Sequence, residues 1–414
     1  MRFSDPRAGA NRPAESALEA TSRGRELARA GRLDEALTAF LGAVERDEGI
    51  LDAHLGIYEV AQILRRPELA LAHQAAAIAL APVQSTLASE REDYALLVPC
   101  VAGPYTANTP ADLLFDAARV TLHRWYVDPA GATPPLPPHD AVFVAIGESD
   151  EAAPHLAAME RFAAQSDRPV LNRPELIRRL GRVPLAETFA AAEHCRVVAT
   201  SRLARERYAA DGFPVPHIVR PVGSHGGHGL TRIDDDAQRA AYLDAVDAPE
   251  LYVAPYVDYS GADGFFRKYR IVFIGGEPFP FHLAISPRWM VHYYNAPMAE
   301  HRWMRDEEHA FLARMDEVFA GELHDALRET ARLLQLDYVG IDCAIDRDGK
   351  LLIFEADNAL IIHLLDDPAL FGYKHAYVPR ILTALDALVR RTLRDVTLTR
   401  VTLSVSLSKG QDDG

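Results

Sequence analysis

Three acids late in the chain carry the clearest chemical signal. Asp342 lies in "YVGIDCAID", and Glu355 and Asp357 lie in "KLLIFEAD", two runs with the composition of strands. Asp348-Gly349 between them is a two-residue hairpin signal. If Arg347 pairs with Lys350, Asp342 falls opposite Glu355, and Asp357 follows one step along on the same face. Ile341, Cys343, Ile345, Leu352 and Phe354 then form the opposite, core-facing side. Like charges facing each other across strands destabilise a sheet. The trio therefore wants a divalent cation, and an oxygen-only donor set suits Mg2+. The alternative is a solvated face of repelling acids.

A second cluster is "RPVGSHGGHGL", Arg220 to Leu230, directly after the apolar run "HIV". Phosphate oxygens need several backbone N–H donors converging on one point, and glycine permits both the positive φ and the close approach. Gly223, Gly226, Gly227 and Gly229 fit that demand, and Ser224 can add a hydroxyl donor. His225 and His228 could pair on a metal, but that spacing in a glycine loop lacks the fixed face a helix provides. A mobile turn without ligand is the third reading. Farther on, "HLAISPRWMVHYYNAPM" (282–298) crowds His282, Arg288, Trp289, His292, Tyr293, Tyr294 and Asn295 together, which suits a pocket with a few oriented polar groups. Lysine occurs only at Lys268, Lys350, Lys374 and Lys409, so Lys268 beside Arg270 draws notice.

Strands must position these groups. "ELYVAPYVDY" (250–259) reads as a short strand, and "FFRKYRIVFIGGEPFPFHLAI" (265–285) as a long hairpin turning at Gly275-Gly276. Upstream, "YALLVPCV", "VTLHRWYV", "HDAVFVAIGESD" and "RPVLN" alternate with helical stretches near 110–119 and over "EAAPHLAAMERFAAQ", the pattern of a small open parallel sheet. "PELIRRLGRVPLAETFAAAE" reads as a helical bridge to the glycine loop. Ahead of all this, two helical hairpins repeat at a 34-residue step, with Ala36 and Ala43 around Phe40 returning as Ala70 and Ala77 before Pro82. Gly24 lies twelve residues before Ala36, and Tyr58 takes its place in the second copy. The spacing resembles tetratricopeptide repeats, whose helix pairs pack at small residues, and implies a docking face for a peptide or protein partner. Residues 1–15 read as a disordered leader, and "VTLTRVTLSVSLSKGQDDG" as an edge strand or a disordered tail.

Composition narrows the class. The 414 residues suffice for several domains. A net charge of −15 argues against nucleic acid or an anionic membrane as the main partner. Cys100, Cys195 and Cys343 are too few and too scattered for a disulfide framework or a cysteine zinc site. The start lacks the apolar core of a signal peptide, and no apolar run reaches the ~20 residues of a membrane span. A cytoplasmic protein is expected.

Taken in order, residues 140–390 resemble an ATP-grasp domain of the glutathione synthetase and RimK-like kind. "RPVGSHGGHGL" resembles the family's phosphate loop, "ELYVAPYV" its adenine-holding linker, "KYRIVFIGG" its phosphate-contacting strand, and "GIDCAID" with "LIFEAD" its metal-binding strand pair. The resemblance implies an α/β and α+β multidomain fold. Helical repeats would cover 16–92, a small parallel pre-ATP-grasp domain 93–195, an ATP-grasp domain of two α+β subdomains 196–395, and a tail 396–414. It also implies ATP contacted by Arg182, Arg220, Ser224, Gly226, Gly227, Gly229, Tyr256 and Lys268. Two Mg2+ would sit on Asp342, Glu355 and Asp357, with Asn358 as a further candidate, and Arg270, Arg288 and His282 would attend an acyl phosphate. Three departures stand out. Arg182 and Arg220 replace lysines, the acidic hinge residue is missing around Pro255-Tyr256, and the family's Glu-x-Asn appears as Glu355-x-Asp357 before Asn358. The implied activity is Mg-ATP-dependent ligation of a carboxylate to an amine. A nucleotide-binding repeat protein without turnover and a kinase on the same fold are the alternatives.

Overall fold

The structure is a computed structural model describing residues 15–224 and 226–409; His225 and all of the expected leader but Glu15 lie outside them. The chain divides into two units. One runs up to Gln84 and includes Ala102–Tyr105, and the other takes Ser85–Val101 and everything from Thr106 onward.

In the first unit, small residues set how closely four helices approach: Ala17–Arg29, Leu33–Arg46, Leu51–Ile63 and Pro67–Leu80. Ser16 caps the first, its hydroxyl accepting from Glu19 N (3.2 Å) while the Glu19 carboxylate accepts from Ser16 N (2.8 Å). Ala36, Ala43, Ala70 and Ala77 are fully buried. The Phe40 ring is clamped between two glycines: a Cβ on Gly24 would lie 2.7 Å from it, and one on Gly56 2.5 Å. The second close approach thus falls at Gly56, two residues before the position the 34-residue step points to. Tyr58, at that position, instead donates its hydroxyl to Gly103 O at 2.9 Å.

The second unit holds the strands expected of a parallel sheet. Tyr94–Cys100 pairs in parallel with Val120–Tyr126 and with Ala141–Phe143, which pairs in turn with Val170–Leu171. Every residue of Tyr94–Cys100 is buried, as a central parallel strand requires. The helix expected near 110–119 shrinks to Ala111–Leu114. Asp116 Oδ1 accepts from Ala118 N at 2.9 Å, and this local turn competes with helical bonding. The helical bridge is broken as well, into Pro174–Ile177, Arg178–Leu180 and Arg182–Thr188, with Gly181 extended at the break.

A four-stranded antiparallel sheet follows, in the order Ser201–Ala204, Glu250–Pro255, His217–Pro221, Thr231–Ile233. A five-stranded sheet runs Glu277–Ser286, Phe266–Ile274, Tyr338–Ile345, Leu351–Asp357, Cys195–Val197, the last pairing parallel. Gly275 and Gly276 turn its long hairpin at positive φ. Pro278 and Pro280 fall on the edge strand, where a missing N–H is tolerated.

The acidic hairpin reaches its expected register by another route. Asp346 N donates to Lys350 O at 2.9 Å, so the turn has three residues, Arg347 to Gly349, and Ile345 pairs with Leu351. A β-bulge then leaves Phe354 unpaired between Cys343↔Ile353 and Asp342↔Glu355. The one-residue difference at the turn is cancelled by the bulge, and Asp342 does face Glu355 while Gly340 faces Asp357. Between turn and bulge the faces exchange. Leu352 and Phe354 therefore do not join Ile341 on the core side; they cluster with Ala344, Tyr259 and Val291.

The terminal alternation makes no edge strand. The helix that begins at Val378 runs to Lys409. Ile381, Leu385, Leu388 and Val389 seat its early turns in the core with Val272 and Tyr338, and once nucleated a helix gains one hydrogen bond per added residue. Among the described residues no helix is long and apolar enough to cross a membrane.

Candidate functional site

The glycine-loop sheet and the acidic-hairpin sheet wall a cleft. Val198, Ile218, Leu230, Ala254, Val257, Val291, Leu352 and Phe354 form its apolar half. Tyr256 and Trp289 meet edge to face there at 5.8 Å, and the Arg232 guanidinium lies 4.0 Å over the Tyr256 ring. A flat, weakly polar ring would fit this slot.

Toward the polar half, Arg220 is 7% exposed and makes no ion pair among the described residues. Burial, reinforced by the nearby charge of Arg182, pulls its pKa down to about 10. Its Nε donates to Ser224 Oγ at 2.9 Å, and a second guanidinium nitrogen donates to the Ser224 carbonyl. The Ser224 hydroxyl donates to Pro221 O at 2.7 Å. That donor is therefore used inside the loop, where it braces Arg220 rather than facing a ligand. Gly226 and Gly227 line the cleft, both at positive φ. Gly229 is needed for space as well as conformation: at φ +66° its Cβ would lie 2.7 Å from Pro221 Cδ. His228 is exposed.

The acids do not stand as a repelling trio. Lys268 and Arg270 project from one face of their strand, Arg270 directly opposite Asp342. Asp342 accepts from Lys268 Nζ at 2.7 Å and from Arg270 Nε at 2.6 Å. Burial alone would raise its pKa, but these two cations hold it well below the carboxylate range. Glu355 is desolvated too, yet Arg182 at 2.8 Å lowers it. Asp357 accepts from Ala359 N at 2.7 Å; desolvation, with Glu355 adding to it, pushes its pKa up to about 6. Asn358 is fully buried, its amide donating to Ile146 O at 2.9 Å, and lines neither cavity. Among the described residues no group of three or more His, Cys, Asp or Glu is placed to hold a metal ion. The fold itself thus supplies cations to Asp342 and Glu355, while Asp357 is met only by a backbone N–H. Glu355, one oxygen of which takes Arg182, and Asp357 line the cavity as carboxylate oxygens, the donor type a hard divalent ion takes. Asp342, engaged as it is, and Asn358 do not fit such an ion.

A second, larger cavity, about 480 Å³ against about 190 Å³, adjoins the cleft. Arg182, Gly226, Lys268, His292 and Glu355 line both. Its walls add Glu148, Arg270, His282, Tyr293, Asp357, His363, Asp366 and Lys374. His282 is 3% exposed, and neither ring nitrogen has a hydrogen-bond partner. Burial, with Arg270 beside it, keeps the ring neutral. Lys374 is held by Asp366 at 2.9 Å and Glu308 at 3.2 Å. Of the 282–298 stretch, Trp289, Met290, Val291 and His292 reach the cleft and His282 and Tyr293 the second cavity. Asn295 ties the loop through its amide, accepting from His292 N and donating to Met290 O. Arg288 is exposed and lines neither cavity, so the structure does not bring it to the site.

Glu148, Asp366 and Lys374 were missed from sequence. Lys374 carried a signal, being one of four lysines, and Glu148 another, in the loop just beyond a parallel strand's C-terminal end.

No family model matches the chain, and no curated protein matches it. Solved structures similar to it include a RimK domain ATP-grasp protein from Sphaerobacter thermophilus (16% identity, 71% of this chain and 99% of that one, TM-score 0.43). A D-alanine-D-alanine ligase from Coxiella burnetii is similar too (11%, 75% and 100%, 0.45), as is D-alanyl-alanine synthetase A from Vibrio cholerae (13%, 74% and 99%, 0.45).

Proposed function

We propose that this chain is an ATP-dependent ligase of ATP-grasp type, joining a carboxylate to an amine through an acyl phosphate. The observation that supports it most is the shared wall: a slot suited to a base opens, past buried cations, into a chamber large enough for a second molecule. A nucleotide with its base beside Tyr256 and Trp289 would lay its phosphates against Arg220, Arg182 and the amides of Gly226 and Gly227. Its terminal phosphate would meet Lys268 and Arg270, where the two cavities join. A carboxylate oxygen attacks the terminal phosphorus there, a P–O bond forms, and ADP leaves. The amine nitrogen then attacks the carbonyl carbon and phosphate departs. Such transfer needs charge neutralisation and alignment more than a covalent protein nucleophile.

Mg2+ would neutralise phosphate charge when bound, and Glu355 and Asp357 are the residues that would hold it. One ion at this pair is the assignment the side chains favour, since Asp342 is already neutralised. His282, neutral and without partners, is suited to hydrogen-bond the acyl phosphate beside Arg270.

The test is ADP release with Mg2+ against pools of carboxylates and amines. Turnover that requires both substrates supports the ligase, and phosphate found on a hydroxyl would instead mean a kinase. The Asp342–Lys268–Arg270 lock favours a second reading, nucleotide binding without turnover; tight ATP binding with no ADP release would establish it. Undiminished turnover by Glu355→Ala would remove the site assignment.

A further inference from the structure

Four acids line the larger cavity: Glu148, Glu355, Asp357 and Asp366. Glu355 is paired with Arg182, and Asp366 with Lys374. Asp357 accepts a backbone N–H and belongs to the metal pair proposed above. Glu148 makes neither a hydrogen bond nor an ion pair with any described residue. It is half-buried, and the backbone leaves room for it: a Cβ on Gly181 would lie 2.8 Å from its Oε1. Gly181 has φ −55°, which any residue can adopt, and a side chain added there would meet the Glu148 carboxylate first. A half-buried carboxylate that no donor or cation contacts, with only the more distant charge of Arg182 to offset it, is favoured by a ligand that brings a positive charge to it.

We infer that Glu148 holds the ammonium group of the amine substrate and takes its proton, an assignment that rests on the ligase reading above. Its pKa is already pushed up to about 7, by burial first and then by Asp150, which suits a proton acceptor near neutral pH. The substrate class that follows is a primary amine carried as its ammonium ion. Docked on Glu148, the ammonium gives up one proton to the carboxylate, which frees the nitrogen lone pair. The nitrogen attacks the acyl carbon, a C–N bond forms, and the C–O bond to phosphate breaks. The second N–H proton leaves with the phosphate, and Glu148 returns its own to solvent.

Hydroxylamine separates the roles, because it is uncharged at neutral pH and needs neither an ammonium site nor a base. With Mg-ATP and a broad pool of carboxylic acids that includes N-acetyl amino acids, ADP release is measured with either amino acid amides or hydroxylamine as nucleophile. Glu148→Gln should lower kcat/KM for the amides at least tenfold more than it lowers hydroxylamine trapping, and Glu148→Asp should recover part of that loss. Equal losses with both nucleophiles, or none, overturn the assignment and leave the ligase reading standing. If the wild-type protein releases no ADP with either nucleophile, the ligase reading fails and Glu148 loses its role with it. A misfolded variant would be seen as a lower Tm, whereas Glu148→Gln removes no hydrogen bond and should melt no lower than wild type.

Discussion

Replacing Arg220 with methionine should move stability and nucleotide affinity in opposite directions. Arg220 is buried without an ionic partner, and its pKa of about 10 lies well below that of a free guanidinium. At about 1.4 kcal/mol per pKa unit, burying the charged form disfavours the fold by roughly 3 kcal/mol at every pH below about 10. Methionine keeps most of the packing and removes the charge, and also removes the hydrogen bonds to Ser224, worth about 1–2 kcal/mol. The nucleotide-free variant should therefore gain about 1–2 kcal/mol and melt slightly higher than wild type. ATP, on the other hand, would lose a desolvated, charge-assisted contact worth about 1.5–3 kcal/mol, which weakens Kd roughly ten- to a hundred-fold. Thermal melting without nucleotide and calorimetric titration with ATP read the two effects. A variant that melts lower and binds ATP within twofold of wild type would show that Arg220 only braces the loop, and would refute the reasoning.

Three further outcomes follow from the same geometry. Asp342→Asn leaves Lys268 and Arg270 unneutralised in the interior and should cost about 3–5 kcal/mol in urea denaturation, with Lys268→Met in the same chain recovering part. Glu148, near Asp150, Arg182 and Asp357, binds its proton more tightly folded than unfolded, so its contribution is intact below about pH 4.5 and lost as pH rises through about 7. The Tm of Glu148→Gln should match wild type at the low end of that window and exceed it at pH 8; coincident curves throughout would contradict the burial of this carboxylate. Gly229→Ala, which collides with Pro221, should weaken ATP binding more than Gly226→Ala, whose Cβ would come no nearer than 3.7 Å to His292 Nε2; equal losses in a fluorescent-nucleotide titration would count against a built loop.

Patterning carried the elements further than it carried the partners. Alternation, the Asp-Gly and Gly-Gly turns and the apolar runs located the strands that wall the site, because each of these signals is local. The Asp342–Glu355 pairing was legible only because two unseen departures, a three-residue turn and the bulge at Phe354, cancel. Their uncancelled remainder is the face of Leu352 and Phe354. Ion pairing was hidden for a different reason. Lys268 and Arg270 lie more than 70 residues from Asp342, and only the strand register shows that they meet. Glu148 and Gly181 belong to separate elements, and nothing in either segment marks their approach. Arg288 and Asn358 had suitable chemistry, but loop direction and a hydrogen bond from the Asn358 amide to Ile146 O turned them away.

The most direct measurement is a crystal structure with Mg2+ and a non-hydrolysable ATP analogue. The triphosphate should lie against Arg220 and the amides of Gly226 and Gly227, the base beside Tyr256 and Trp289, and the ion on Glu355 and Asp357. A nucleotide bound outside this cleft, or one bound within it while Glu355 and Asp357 stay bare, would contradict the account.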